Sequence, residues 1–489
     1  MRLYIPALFL VTLFAVAWVP SLGGGFHFDD HSLFFDKAIH SGDVWGPLQT
    51  RPLTQFTFWL SSGSGTPFYH IWNFLLHALN TVLAWLVLRS LGVSGTARWV
   101  AVAIFAVHPI QSEPVNYVYA RSTLLMSAFC LMALWCWIEE HPWVAVAFFA
   151  AALLAKEECV TLPILLLLMD YWRGRVKIRW IPAAAMLTLA LAAGLRAIAA
   201  TAATPGAGAG FASPVSPLAY AKVQGFVIAL RYWRMLIVPW GFTVDPEVAD
   251  PGWILAIALW IGIAGLAFLA WRKLQRGGFW LLAGLLLLVP SSSIFPAEDL
   301  AADRRMYLPL FAFAMLAATA LANGKVPRWL LSIGALGLAL VSYDRSANVW
   351  RTERALWTEA CERSPGKARP RLQLARVSKM VDAKRLLREA ANIEPRNSEI
   401  PNELGLLFLR DENAAQALGA FGRALALAPG DAKTMNNRGV ALFQLGQKEA
   451  ARQDFERALR LDPCLVDARN NLAEAGGKLP SEKCENGRK

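Results

Sequence analysis

Apolar runs close to bilayer length recur through the first two thirds of the chain, and no other feature limits the fold so tightly. Inside hydrocarbon every backbone N–H and C=O must be bonded within the protein, so runs of this length are helices. The 489 residues are 56% hydrophobic and only 17% charged, which excludes an ordinary soluble enzyme and leaves a polytopic membrane protein with a soluble part. The net charge of +12 is no nucleic-acid signal in this setting. It reads as lysines and arginines in short loops that set topology, plus a mildly basic tail. Leu3 to Val19 reads as a retained first span, because the apolar run is long and no small-residue cleavage site follows. Cys130, Cys136 and Cys159 fall in apolar segments and Cys361, Cys464 and Cys484 in the tail. None stands at metal-ligand spacing, so no metal site and no cofactor are expected. An outer tail would permit a Cys464–Cys484 disulfide.

The loop Trp172 to Trp180 carries Arg173, Arg175, Lys177 and Arg179 and is expected to be cytoplasmic. Counting back places Gly23 to Tyr69, Gln111 to Arg121 and Lys156 to Glu158 together on the outer side. Two short apolar runs flank Lys156–Glu158, each nearer about 14 than 20 residues, so one or both tilt or dip. Counting forward, Tyr220 to Pro239 is interrupted by Arg231 and Arg234. Laid along the outer surface, it puts Arg272, Lys273, Arg276, Lys325 and Arg328 inside. This predicts about 11 spans, a cytoplasmic start and an outer tail, with a transmembrane domain over 1–343, outer loops over 21–69 and 201–250 (the second with an interfacial helix) and a tail domain over 344–489.

His70, Asn73, His77 and Asn80 are spaced three, four and three apart and share one helical face. In lipid that stripe must face protein or water, leaving interhelical hydrogen bonding and the lining of a site as two open readings. In the tail, Gly405 and Gly439, Phe421 and Phe455, Ala424 and Ala458, and Pro429 and Pro463 are each 34 apart. That period, with small residues in both helices and a closing proline, marks tetratricopeptide repeats. About three to four helical hairpins are expected, with Leu356 to Pro365 as the second helix of a degenerate earlier unit and Asp467 to Glu474 as a cap. Stacked hairpins form a concave surface for protein binding.

On this topology Asp29, Asp30, Arg51, Arg121, Lys156, Arg304 and Arg305 approach one face. Carboxylates beside cations at a lipid boundary suit transfer of a group from a lipid phosphate to a hydroxyl: the hydroxyl needs a base and the departing phosphate needs fixed positive charge. The first loop holds Asp29-Asp30 and then Asp36, with no Asp-x-Asp, which favours cationic side chains over a metal as the phosphate clamp. The alternative for Asp29 and Asp30 is capping of a short interfacial helix.

The stretches Arg51-Pro52-Leu53-Thr54-Gln55-Phe56-Thr57-Phe58 and Tyr69-His70-Ile71-Trp72-Asn73-Phe74-Leu75-Leu76-His77-Ala78-Leu79 resemble the family of transmembrane and tetratricopeptide-repeat O-mannosyltransferases. His108-Pro109-Ile110-Gln111-Ser112-Glu113-Pro114-Val115, Ala120-Arg121-Ser122, Ala155-Lys156-Glu157 and Asp303-Arg304-Arg305-Met306-Tyr307-Leu308-Pro309 add to the resemblance in order along the chain. It implies an all-α GT-C glycosyltransferase-like membrane domain followed by a repeat solenoid. It also implies inverting transfer of a hexose from a polyprenyl-phosphate donor to serine or threonine hydroxyls outside the cytoplasm. Asp29 would be the base and Asp30 its support. Arg51, Arg121, Lys156 and Arg304 or Arg305 would hold the phosphate. Glu113 and Glu157 would orient these cations, with His70, Asn73, His77, His108 and Tyr307 as further supporting residues. The sequence departs from the pattern in Asp303, where the family has glutamate, in the doubled arginine, and in a short repeat array. The compact loops suggest a bacterial inner-membrane protein with a periplasmic tail whose groove takes the acceptor protein.

Two other classes remain. A membrane scaffold that recruits partners through its repeats would not need so many spans with charged motifs on one face. A lipid-linked saccharide polymerase or transporter would carry charges through its spans and show paired halves, whereas here they gather at one boundary.

Overall fold

The computed structural model describes residues 4–479 except 35–36, 43, 46–49, 203–209, 211–212 and 325. Asp36, Lys325 and Cys484 lie outside that set. The described residues are all-helical and form two compact units, Met1–Leu356 and Trp357–Lys489.

Among the described residues of the first unit, six helices are long and apolar enough to cross a membrane: Pro6–Gly23, Thr66–Ser90, Val118–Ile138, Trp180–Ala202, Gly252–Arg272 and Asp303–Asn323. Gly95–Val107, Pro142–Ala155 and Gly278–Leu288 are apolar but shorter. At 1.5 Å per residue, the 14 residues of Pro142–Ala155 rise about 21 Å, less than the roughly 30 Å of bilayer hydrocarbon. These two sets stand where about 11 crossings were expected. Val118–Ile138 has 72% of its apolar window buried and is the central post, whereas Trp180–Ala202 and Gly252–Arg272, each 17% buried, offer most of their surface outward. Around the post, Leu124, Leu131 and Trp137 pack with Phe105, Phe149 and Phe311 in one apolar core. The first helix is tied in by Trp18, whose indole N–H donates to the Ala106 carbonyl at 2.7 Å.

The polar stripe His70, Asn73, His77 and Asn80 is fully buried and turned into the bundle. Asn73 donates to the Pro114 and Tyr117 carbonyls. Tyr307 donates its hydroxyl to His77 Nδ1 at 2.7 Å and accepts from Asn80 at 3.0 Å, while His77 Nε2 donates to Ala106. With Asn80 also donating to the Leu124 carbonyl, the stripe binds one long helix to four other segments.

The basic loop at 173–179 is closed rather than bare. Asp170, fully buried, accepts from Arg179 and the Trp137 indole and forms an ion pair with Arg175 at 3.2 Å, and Glu140 pairs with Arg175. Arg179 also lies over the Trp137 ring at 4.1 Å. Pro217–Phe226, a π-helical turn over Val227–Tyr232 and Trp233–Ile237 form one interrupted helix. Its Arg231 bonds Asp303 at 2.6 Å.

The change in composition near Asp344 comes before the change in packing. Trp350 and Leu356 are buried against Tyr117 and Ala120, which extends the first unit to Leu356. In the second unit the hairpins are Ala368–Arg376 with Met380–Ile393, Glu399–Arg410 with Ala414–Leu427, and Ala432–Gln444 with Lys448–Leu461, followed by Val466–Glu474. The 34-residue register has a steric cause. A side chain at Gly405 would come within 2.5 Å of the Phe421 ring, and one at Gly439 within 2.5 Å of Phe455, so each glycine admits the phenylalanine of its own hairpin.

Candidate functional site

The chain leaves the first helix through Gly23-Gly24-Gly25, and this exit sets the position of the two aspartates. Gly24 packs against the His70 ring, where an added Cβ would stand 3.2 Å from it, and the Gly25 N–H donates to the Arg351 carbonyl. His27 is fully buried and its Nε2–H donates to the Trp350 carbonyl at 2.8 Å. Phe28 then takes φ +49°, a left-handed conformation unusual for an aromatic residue, and starts the 3-10 turn Phe28–Phe34.

The turn separates the neighbours. Asp30 is fully buried: Oδ2 accepts from the backbone N–H of His27 at 3.0 Å and Oδ1 from that of Tyr119 at 2.7 Å. Burial pushes its carboxyl up to about 8, against the pull of these N–H donors. Asp29 is exposed, and its Oδ2 accepts from the Tyr117 hydroxyl at 2.9 Å. Tyr117 is itself clamped by the Trp350 ring, stacked at 6.4 Å, and by the edge of Phe28 at 5.5 Å. Burial, then the charges of Asp29 and Asp30, raise the Tyr117 phenol well above its usual range, while Arg304 acts in the opposite sense. Asp29, Asp30, Tyr117 and Arg304 therefore share one electrostatic neighbourhood.

Arg51 is the second strained position, at φ +56°, ψ +48°, directly before Pro52, which disfavours right-handed helix in the preceding residue. Thr54 donates to the Ala155 carbonyl at 2.9 Å and thereby brings Arg51 to the end of Pro142–Ala155. There Arg51 makes a two-point bond to Glu157, at 3.2 and 2.7 Å. Burial would raise the Glu157 carboxyl, but the Arg51 charge and hydrogen bond hold it down at about 2. Lys156 donates to Thr123 at 3.0 Å and pairs with Glu158 at 2.9 Å. Burial lowers its ammonium, and the charges of Arg51 and Arg304 add to the effect against Glu158. Arg304 pairs with Glu113 and with Asp299 at 3.0 Å, and its backbone N–H also bonds Glu113. Lys156 thus lies within electrostatic reach of both Arg51 and Arg304, and each of the three cations stands beside a carboxylate that orients it.

The other expected phosphate ligands are placed differently. Arg121 is fully buried and spends its guanidinium on Asn73, the Thr57 carbonyl, Ser61 and the Tyr69 carbonyl, with the Phe58 ring at 4.5 Å. It pins helices together beneath the cluster and presents no free N–H edge. Arg305 bonds the Leu300 and Asp299 carbonyls and faces the Tyr220 ring at 5.9 Å, which leaves Arg304 as the more open of the pair. His77 and Tyr307 are bonded to each other inside the bundle. His108 accepts from the Ile110 N–H and lines an apolar cleft with Ile104, Trp233, Leu236, Leu310 and Phe313. Sequence reasoning passed over Tyr117 and Glu158 as site residues. Both lie in polar segments already marked as loops, but nothing in spacing tells which member of such a loop turns inward. Among the described residues no three His, Cys, Asp or Glu side chains gather as a metal-ligand set.

These features define a class: a multi-pass helical membrane protein with a charged cluster at one end of its bundle and a tetratricopeptide-repeat tail. Residues 404–474 match the tetratricopeptide repeat family model. A protein O-mannosyl-transferase of Caenorhabditis elegans is 25% identical over 419 residues, covering 76% of this chain and 59% of that protein. Protein O-mannosyl-transferases of Drosophila melanogaster and Mus musculus are 30% and 32% identical over 34% and 31% of this chain, and 22% and 20% of theirs. The relatives are of the family that the sequence motifs resemble. The chain spans about three fifths or less of the length of each of them.

Proposed function

We propose that the protein is an inverting glycosyltransferase that moves mannose or a similar hexose from a polyprenyl-phosphate donor to serine or threonine hydroxyls of extracytoplasmic proteins. The observation that carries this reading is Asp29: an exposed carboxylate, held by the Tyr117 hydroxyl and sharing a neighbourhood with Arg304. Asp29 takes the proton of the acceptor hydroxyl as its oxygen attacks the anomeric carbon. The bond from that carbon to the phosphate oxygen breaks, and Arg304, Arg51 and Lys156 meet the charge left on the polyprenyl phosphate. The apolar cleft beside His108 offers a place for the polyprenyl chain. The setting we propose is a bacterial inner membrane, with a cytoplasmic start and a periplasmic tail whose groove holds the acceptor.

The test is transfer of labelled sugar from polyprenyl-phosphate donors to periplasmic protein by purified enzyme, with wild type set against Asp29→Asn, each with and without chelator. Wild type transfers. Asp29→Asn, folded as judged by its melting curve, loses at least about a hundredfold, the lower range for a missing general base, and chelator changes neither. A variant as active as wild type overturns the assignment of the base.

A further inference from the structure

The Thr66–Ser90 helix carries Arg89 in its last turn, and a turn over 91–94 leads into Gly95–Val107. Here two arginines from different helices gather on one indole: the guanidinium carbons of Arg89 and Arg98 lie 5.3 and 5.4 Å from the centroid of the Trp85 ring, with Trp99 beside it at 6.4 Å. Among the described residues neither arginine pairs with a carboxylate. Glu139, the acid that reaches this end of the bundle, accepts instead from Ser90, which also accepts from the Trp135 indole at 3.2 Å. The contrast with the 173–179 loop is informative. There Asp170 and Glu140 form ion pairs with Arg175 and Arg179, whereas the pair on Trp85 has no carboxylate.

What the pair lacks is acceptors. Trp85 Nε1 and Arg98 Nε are shielded from water and have no hydrogen-bond partner, and Ser94, at the N-cap of Gly95–Val107, makes no side-chain cap hydrogen bond. Every unmet group is a donor and the fixed charge is positive. A partner must bring several oxygens and negative charge, as a phosphate does. Its source follows from position. Arg89 is the penultimate residue of a 25-residue apolar helix, at the level where a spanning helix meets lipid headgroups.

We propose that Arg89, Arg98 and Trp85 form a binding site for the phosphodiester headgroup of an anionic membrane lipid. The phosphate bridges the two guanidinium groups, which the Trp85 ring holds side by side. This site is separate from the Asp29 cluster and stands whether or not the transfer reaction does.

The test uses the full-length protein in nanodiscs of phosphatidylcholine alone, of phosphatidylcholine with phosphatidylglycerol, and of phosphatidylcholine with inorganic phosphate added. An arginine-specific dicarbonyl is applied and labelling of Arg89 and Arg98 is read by mass spectrometry. Phosphatidylglycerol should protect both arginines several-fold, and inorganic phosphate should not. Equal labelling in the first two discs overturns the proposal. Protection by inorganic phosphate equal to that by phosphatidylglycerol overturns the lipid assignment. In a second measurement, the double variant Arg89→Gln, Arg98→Gln should retain about thirtyfold less phosphatidylglycerol through detergent exchange, in line with roughly 1 kcal/mol for each of the two basic residues at the surface. Undiminished retention refutes the site, and if the variant does not fold, the labelling of wild type decides alone.

Discussion

Asp29 and Asp30 are adjacent in sequence and opposite in surroundings. One meets solvent and a tyrosine hydroxyl, while the other is sealed beneath a ring of backbone N–H donors. The same doublet read only as sequence offers two equivalent carboxylates. The distinction comes from the left-handed Phe28, which turns consecutive side chains to different sides. Asp30 then has a consequence for pH. Its folded value, near 8, is above the roughly 3.9 of an unfolded aspartate. The native state therefore binds the proton more tightly, and the associated stability is complete below about pH 4 and is lost as pH rises through 8. Thermal melts of wild type should fall over that window, while Asp30→Asn, with no proton to lose, should show a flatter profile. The asparagine provides one acceptor where two carboxylate oxygens served, so its plateau should lie about 1–3 kcal/mol lower. Equal slopes would remove Asp30 as the titrating group.

At the scale of elements, the two basic loops illustrate what helix ends do with charge. Asp170, in the last turn of Leu162–Trp172, fastens that helix to Arg121–Ile138 through Trp137 and to the start of Trp180–Ala202 through Arg179. Asp170→Asn should destabilise the membrane unit by about 3 kcal/mol, because removing one partner of a buried ion pair leaves the other uncompensated. The measurement is a denaturant or thermal midpoint in detergent. In the tail the corresponding element is the glycine beneath each phenylalanine. Gly439→Ala forces the Phe455 ring from its place and should cost about 1–3 kcal/mol. A substitution at Gly430, with open space around it, is the control.

At the scale of the molecule, the two compact units predict two transitions. Heating the full chain should give separable steps, with Gly439→Ala lowering only the tail step and Asp170→Asn only the membrane step. A single transition displaced by both variants would show that the units unfold as one. Much of this architecture was legible without coordinates, since apolar runs of bilayer length admit only helices and a 34-residue period with small residues and proline admits only stacked hairpins. Periodicity also put the His70–Asn80 stripe on one face, because helical spacing alone determines which residues share a side. The sequence could gather Asp29, Arg51, Lys156 and Arg304 onto one face but could not say which cations stay open. That depended on contacts between residues far apart in the chain. Arg121 is enclosed by residues from 57 to 73, Arg51 finds Glu157 more than a hundred positions away, and Tyr117 is held for Asp29 by Trp350. Local pattern records the period of a helix and the polarity of a loop; the partner of a charged side chain is decided only when distant segments pack.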